Sequence, residues 1–192
     1  MIKKLFFFTY IYFIYLFSAS IAFADLQKNL INKITATKTL SFNFKQKIAD
    51  KEENGVCFIK YPLLMKCDYK NLKQKTIISN GKTVAIIKKK YKKIYYYPIR
   101  STPLFFILKK EEIINLIRKN QPTKVNSKLI EFVFINKKTN KIKILFDKET
   151  LEFKGWKTQD SYSNDVIFSI NNLKINNKIM DNIFKIPQED DL

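Results

Sequence analysis

The feature that most restricts this chain is its hydrophobic period. Between Leu40 and Ile175, large apolar side chains alternate with polar ones over short stretches, as along strands with one dry and one wet face. The clearest case is Leu40-Ser41-Phe42-Asn43-Phe44-Lys45-Gln46-Lys47-Ile48. Further strands are expected over 56–61, 64–69, 75–79, 83–87, 94–97, 129–135, 141–146, 151–158 and 166–175. Pro62 has no amide hydrogen and belongs at a turn or an edge. The charged stretch 50–55 reads as a turn, and Asn80-Gly81 as a hairpin turn because both residues tolerate positive φ. Roughly nine or more short antiparallel strands with few helices predict a curved sheet or open barrel. No interior linker or solenoid-length repeat interrupts it, so 25–192 is expected to be one domain.

Two segments leave the period of two. Asp25 can cap a short helix with Leu26, Leu30, Ile31 and Ile34 on one face. Ser101-Thr102-Pro103 has the form of a helix start, with a capping hydroxyl and a proline at the first positions. The unbroken run Leu104-Phe105-Phe106-Ile107-Leu108 follows, then Ile113, Ile114 and Ile117 within 111–118. An apolar run of that kind cannot lie on a surface helix with one dry face. It is either a helix buried on both sides or a lid over a hydrophobic cavity. Periodicity leaves both readings open.

Residues 1–24 form a targeting segment. Lys3 and Lys4 precede an apolar run to Phe23, which ends in Ala22-Phe23-Ala24 before Asp25. Small residues at the last and third-last positions predict cleavage after Ala24, against the alternative of an uncleaved anchor. The absence of histidine excludes Ser–His–Asp and Cys–His catalysis and histidine-ligated metal sites. Pairs such as Glu111-Glu112 and Asp190-Asp191 lack the arrangement acid–base work requires. No catalytic site, metal or cofactor is expected.

The net charge of +19 comes almost wholly from lysine, since only Arg100 and Arg118 are arginine. Base and phosphate recognition favours the planar guanidinium fork over a point charge. With abundant Asn, Ile, Phe and Tyr, the lysines match A/T-rich coding, so the charge alone does not imply nucleic acid. The cluster Lys88-Lys89-Lys90-Tyr91-Lys92-Lys93 falls at a hairpin tip. It is either a solvated loop or a contact for anionic headgroups or acidic partner surfaces. Cys57 and Cys67 are equidistant from Pro62 in sequence. In a hairpin centred there they would face each other, which predicts a cross-strand disulfide in an oxidising compartment.

Five motifs, in order along the chain, resemble the periplasmic outer-membrane lipoprotein carrier protein (LolA) family. They are Lys38–Lys47 with its aromatic alternation and Phe-x-Gln, Gly55–Pro62, Ile77-Ile78-Ser79-Asn80-Gly81-Lys82-Thr83, Ser101-Thr102-Pro103-Leu104, and Asn182-Ile183-Phe184-Lys185-Ile186-Pro187. The resemblance implies a mainly β, α+β fold: an open antiparallel half-barrel with a helical lid over a hydrophobic cavity. It implies a monomeric periplasmic carrier, not an enzyme. Such a carrier takes acylated lipoproteins from an inner-membrane ABC transporter to an outer-membrane receptor or to the membrane itself. Leu40, Phe42, Phe44, Ile59, Met65 and Tyr69 are the candidate acyl-chain lining, although as ordinary core they would look the same. Leu104, Phe105, Phe106 and Leu108 are the candidate lid. Many family members carry an arginine before the hairpin proline, where it bonds to the lid. Here Tyr61 stands there and is the gating candidate, with Lys66 the nearest alternative cation. A lipoprotein-sensing regulator of the same fold and a secreted basic anion- or nucleic-acid-binding protein are the competing functions.

Overall fold

A computed structural model describes residues 25–72, 74–135, 141–160 and 162–192; the targeting segment 1–24 lies outside them. Helix α1 covers 25–36. The strands are β1 (Thr39–Ile48), β2 (Lys51–Lys60), β3 (Leu64–Tyr69), β4 (Lys75–Asn80), β5 (Thr83–Lys88) and β6 (Lys93–Pro98), then, after the helices, β7 (Lys124–Val125), β8 (Leu129–Phe134), β9 (Ile142–Asp147), β10 (Phe153–Gln159) and β11 (Asp165–Ile175). Helices α2 (Leu104–Leu108) and α3 (Lys110–Lys119) sit between β6 and β7. Among the described residues, the eleven strands form one sheet in the order β6-β5-β4-β3-β2-β1-β11-β10-β9-β8-β7, so β6 and β7 are its edges and the sheet does not close into a barrel. The fold is the open antiparallel half-barrel with helices expected above.

Alternation builds the core on one face. From β1 come Leu40, Phe42 and Phe44; across the hairpins come Cys57, Ile59, Met65, Cys67 and Tyr69. The far half contributes Ile130, Phe132, Ile142, Ile144, Phe146, Trp156, Phe168 and Ile170 to the same cluster, and the helices add Leu30, Ile34, Ile107, Leu108 and Ile117. A small second cluster, Ile78, Ala85, Ile87 and Ile94, lies on the outer face under Ile186 and Leu192 of the C-terminal segment.

Several expectations need correction. Of the charged stretch 50–55 only Asp50 lies in a turn: β2 begins at Lys51 and pairs with β1 to its end, and Lys45 bonds Glu52 across the two strands at 2.8 Å. The β4–β5 loop is Gly81-Lys82, and Gly81 alone takes positive φ (94°). Asn80 stays in β4 and accepts the amides of Lys82 and Thr83 through Oδ1. Ser101 and Thr102 do not cap a helix. Their hydroxyls donate backward to Pro98 O and Ile99 O, and α2 starts only at Leu104.

Two bulges shift the phase of alternation. At Gly155 (φ 135°) the β9–β10 register slips, so both Phe153 and Trp156 turn inward; a Cβ there would lie 1.9 Å from Phe168 O. At Asn172 (φ 52°) β11 holds one residue more than β1. Ile170 and then Leu173 and Ile175 therefore all pack toward the core.

Candidate functional site

The inner face of the sheet and the helices over it form the site. Leu40, Phe42, Phe44, Ile59, Met65 and Tyr69 are all buried in one cluster with Phe106 and Leu108 of α2. Along the inner face, aromatic rings make a continuous floor. Tyr69 packs edge-on to Phe44 (4.8 Å), Phe44 stacks on Phe168 (4.7 Å), and Phe168 on Trp156 (3.9 Å). Trp156 stacks on Phe153, which leans on Phe146. Rings in these arrangements add about 0.5–1.5 kcal/mol per pair beyond area burial. The Tyr69 hydroxyl donates to Gln46 Oε1 at 2.7 Å, and Lys75, paired with Glu53, lies over its ring. Burial, and secondly the charge of Glu53, push the Tyr69 phenol upward, out of its ordinary range.

The cover is α2 with α3. Phe106 packs on Phe134 of β8 at 4.3 Å, while Ile107 and Leu108 are fully buried. Leu104 and Phe105 are only half-buried, so the apolar run has one deep side and one shallow one. Arg100 and Lys109 both approach the Phe105 ring, at 5.7 and 5.3 Å. Polar ties hold the cover at three places. The Leu63 amide, from the β2–β3 turn, donates to Leu108 O at 2.9 Å. Gln27 Nε2 of α1 donates to Ile117 O and Asn120 O. Lys110 Nζ donates to Thr35 O (3.0 Å) and Thr37 O (2.8 Å), at the carbonyl-rich end of α1 where a cation is favoured.

Tyr61 stands where these ties meet. Its amide donates to Lys38 O, and Lys110 Nζ lies 5.6 Å from its ring centroid. Burial pushes its phenol upward as well. The ring walls an inner cleft on one side, with Ile34, Leu40, Ile113, Phe146 and Leu173, and on the other an outer groove with Lys38, Lys60 and Lys110. The inner cleft has about 30 Å³ of free space, room for one water and not for an acyl chain. This cleft admits a chain-like ligand only if its walls move apart. Lys66 is on the outer face of β3, beside Asp68 at 3.4 Å, away from the cover.

Cys57 and Cys67 are opposed in the β2–β3 register and joined as a disulfide under the inner face. The cluster at 88–93 is the β5–β6 tip, with a single 3₁₀ turn at Lys89–Tyr91 and no buried residue in it. Lys110, Gln27, Phe134, Trp156 and Phe168 are site residues that alternation and motif matching did not single out.

The family model of the outer membrane lipoprotein carrier protein LolA matches residues 35–187, most of the chain. No curated protein matches the sequence. An uncharacterised conserved protein from Thermus thermophilus shares the fold at TM-score 0.51 and 8% identity, over 85% of this chain and 94% of that one. A LolA superfamily protein from Nitrosomonas europaea gives TM-score 0.45 at 9% identity, over 83% and 97%. The MucA/MucB complex structure from Pseudomonas aeruginosa gives TM-score 0.47 at 9% identity, over 86% of this chain and 62% of that chain.

Proposed function

This chain belongs to the outer membrane lipoprotein carrier protein LolA family, and from that premise we infer that it carries lipoproteins across the periplasm. Residues 1–24 direct export and are removed, leaving 25–192 as one monomeric binding domain without catalytic chemistry. The cargo's acyl chains occupy the inner face, received from an inner-membrane ABC transporter and released to an outer-membrane receptor or the membrane itself.

What supports the reading most is the pairing of an apolar inner face with a cover held by a few polar ties. Acyl binding is non-directional, worth about 0.8 kcal/mol per buried methylene. A filled core offers that only after α2 and α3 move and yield the surface they now bury. Part of the binding energy is then spent on opening, so the cargo is held yet can be passed on.

The test is release of radiolabelled lipoprotein from inner-membrane spheroplasts into a soluble complex with the purified protein, with its native transporter present. Phe106→Glu places a charge against Phe134 in the deep part of the cover and should abolish release. Phe105 is the poorer position, because Arg100 and Lys109 would pair with a carboxylate there. Exposed Lys148→Glu should leave release intact. No release by the unaltered protein with an active transporter overturns the reading.

A further inference from the structure

The two free edges of the sheet are unlike. β7 is a two-residue strand, too short to receive a partner, whereas β6 has six residues and ends the sheet on its other side. Tyr95, Tyr96 and Tyr97 of β6 are 42%, 54% and 43% exposed, and Tyr91 in the preceding turn 52%. Lys88, Lys89, Lys90, Lys92 and Lys93 crowd the same end, and none of them pairs with a carboxylate in an ion pair among the described residues. Proteins blunt long exposed edges, commonly with lysine. A second copy of this chain brings the same lysines and is repelled; an acidic segment is attracted.

The chain's own last residues show which chemistry fits. Glu189 reaches from the C-terminal segment and accepts the outward amide of Ile94 at 3.0 Å. Its neighbours Ile186 and Leu192 pack on Ile78, Ala85, Ile87 and Ile94. The tail reads Glu189-Asp190-Asp191-Leu192, folded into one 3₁₀ turn that the Asp191 carboxylate closes on the Gln188 amide. A carboxylate on the edge amide, an apolar side chain on the outer-face patch and acids beside a lysine cluster form one recognition pattern. Tyr96, opposite Ala85 in the register, extends the patch beyond what the tail covers.

We propose that the β6 edge and its lysine tip dock a short acidic segment of a partner protein, ending in or containing an apolar residue, and that residues 188–192 are its resident occupant. A partner that displaces the tail gains the Ile94 amide, the apolar patch and the uncovered tyrosines together. Because the tail is tethered, it competes at high effective concentration, so docking stays weak until the partner covers more of β6 than the tail does. This site is independent of what the inner face carries.

The experiment is calorimetric titration of a synthetic peptide of residues 185–192 into the protein truncated after Pro187 and into the intact chain. Hydrogen exchange at the Ile94 amide is followed in both. The peptide should bind the truncated chain and bind the intact one about tenfold or more weakly. It should restore protection of Ile94, and Lys89→Glu with Lys90→Glu and Lys93→Glu should weaken binding by about tenfold or more. The proposal is overturned if the natively folded truncated chain binds no peptide. Equal binding of a peptide with lysine at 189–191 also overturns it. So does self-association of the truncated chain through β6, or binding to phosphatidylglycerol vesicles without binding to the peptide. Should truncation unfold the protein, Glu189→Ala in the intact chain decides: faster exchange at Ile94 supports the proposal, and unchanged exchange ends it.

Discussion

Two residues whose neighbours are fixed by strand register set the chemistry of the inner face. The Cys57–Cys67 disulfide ties β2 to β3 beneath it, in a hairpin already closed by a tight turn. The loop it restricts is short, so the double variant Cys57→Ser, Cys67→Ser should lose about 2–3 kcal/mol, measured by denaturant unfolding. Thiol labelling of denatured, unreduced protein should find neither cysteine free. Tyr69 illustrates a second residue-scale effect. Its phenol and that of Tyr61 hold their protons more tightly folded than unfolded. The stability they contribute is therefore complete below the ordinary phenol pKa of about 10 and is lost as pH rises above it. An ultraviolet titration should show part of the tyrosine signal ionising only with alkaline unfolding. Glu53→Gln, which removes the charge that helps raise Tyr69, should move that phase to lower pH.

Among the elements, the proposed carrier role asks the cover to move, and Lys110 is its most replaceable tie. Its ammonium bonds two carbonyls at the end of α1, so Lys110→Met keeps the stem and deletes both bonds. Charged hydrogen bonds are worth about 1.5–3 kcal/mol, less in partial solvent. Amides of α2 and α3 should then exchange faster by about tenfold, with β1 and β11 unchanged, in a native-state hydrogen-exchange comparison. This tie was not legible in the sequence, because its acceptors are backbone atoms on a helix far away in the chain and carry no side-chain signature. The cation belongs to α3 and lies beside the Tyr61 ring, where the family resemblance implies a cation at position 61 itself. The strands were more readable. Alternation located the inward, buried residues of β1 to β3, where pairing is regular. It failed at 51–54, where β2 runs past the core and both faces are wet, so charge mimicked a turn. It gave no facing at Gly155 and Asn172, where one extra residue inverts the phase and conceals Trp156, Leu173 and Ile175 as inward residues.

At the scale of the molecule, the half-barrel pairs an aromatic floor with a helical cover. The aromatic floor joins β3, β1, β11, β10 and β9 by ring contacts, while the cover meets the sheet through Phe106, Ile107, Leu108, Ile113 and Ile117, together with the Leu63 amide and the α1 ties. The floor holds the only tryptophan in the chain, 5% exposed and sandwiched between Phe168 and Phe153. Its indole emission is therefore a depth gauge. Loosening the cover with Lys110→Met should leave the emission maximum where it is, since the stacking of Phe168 and Phe153 on the indole does not involve that tie. Brominated acyl chains, which quench an indole only on close approach, should dim it when they run the full length of the inner face and leave it bright when they stop beneath the cover. One lamp at the bottom of the vessel thus tells how far the cargo has gone in.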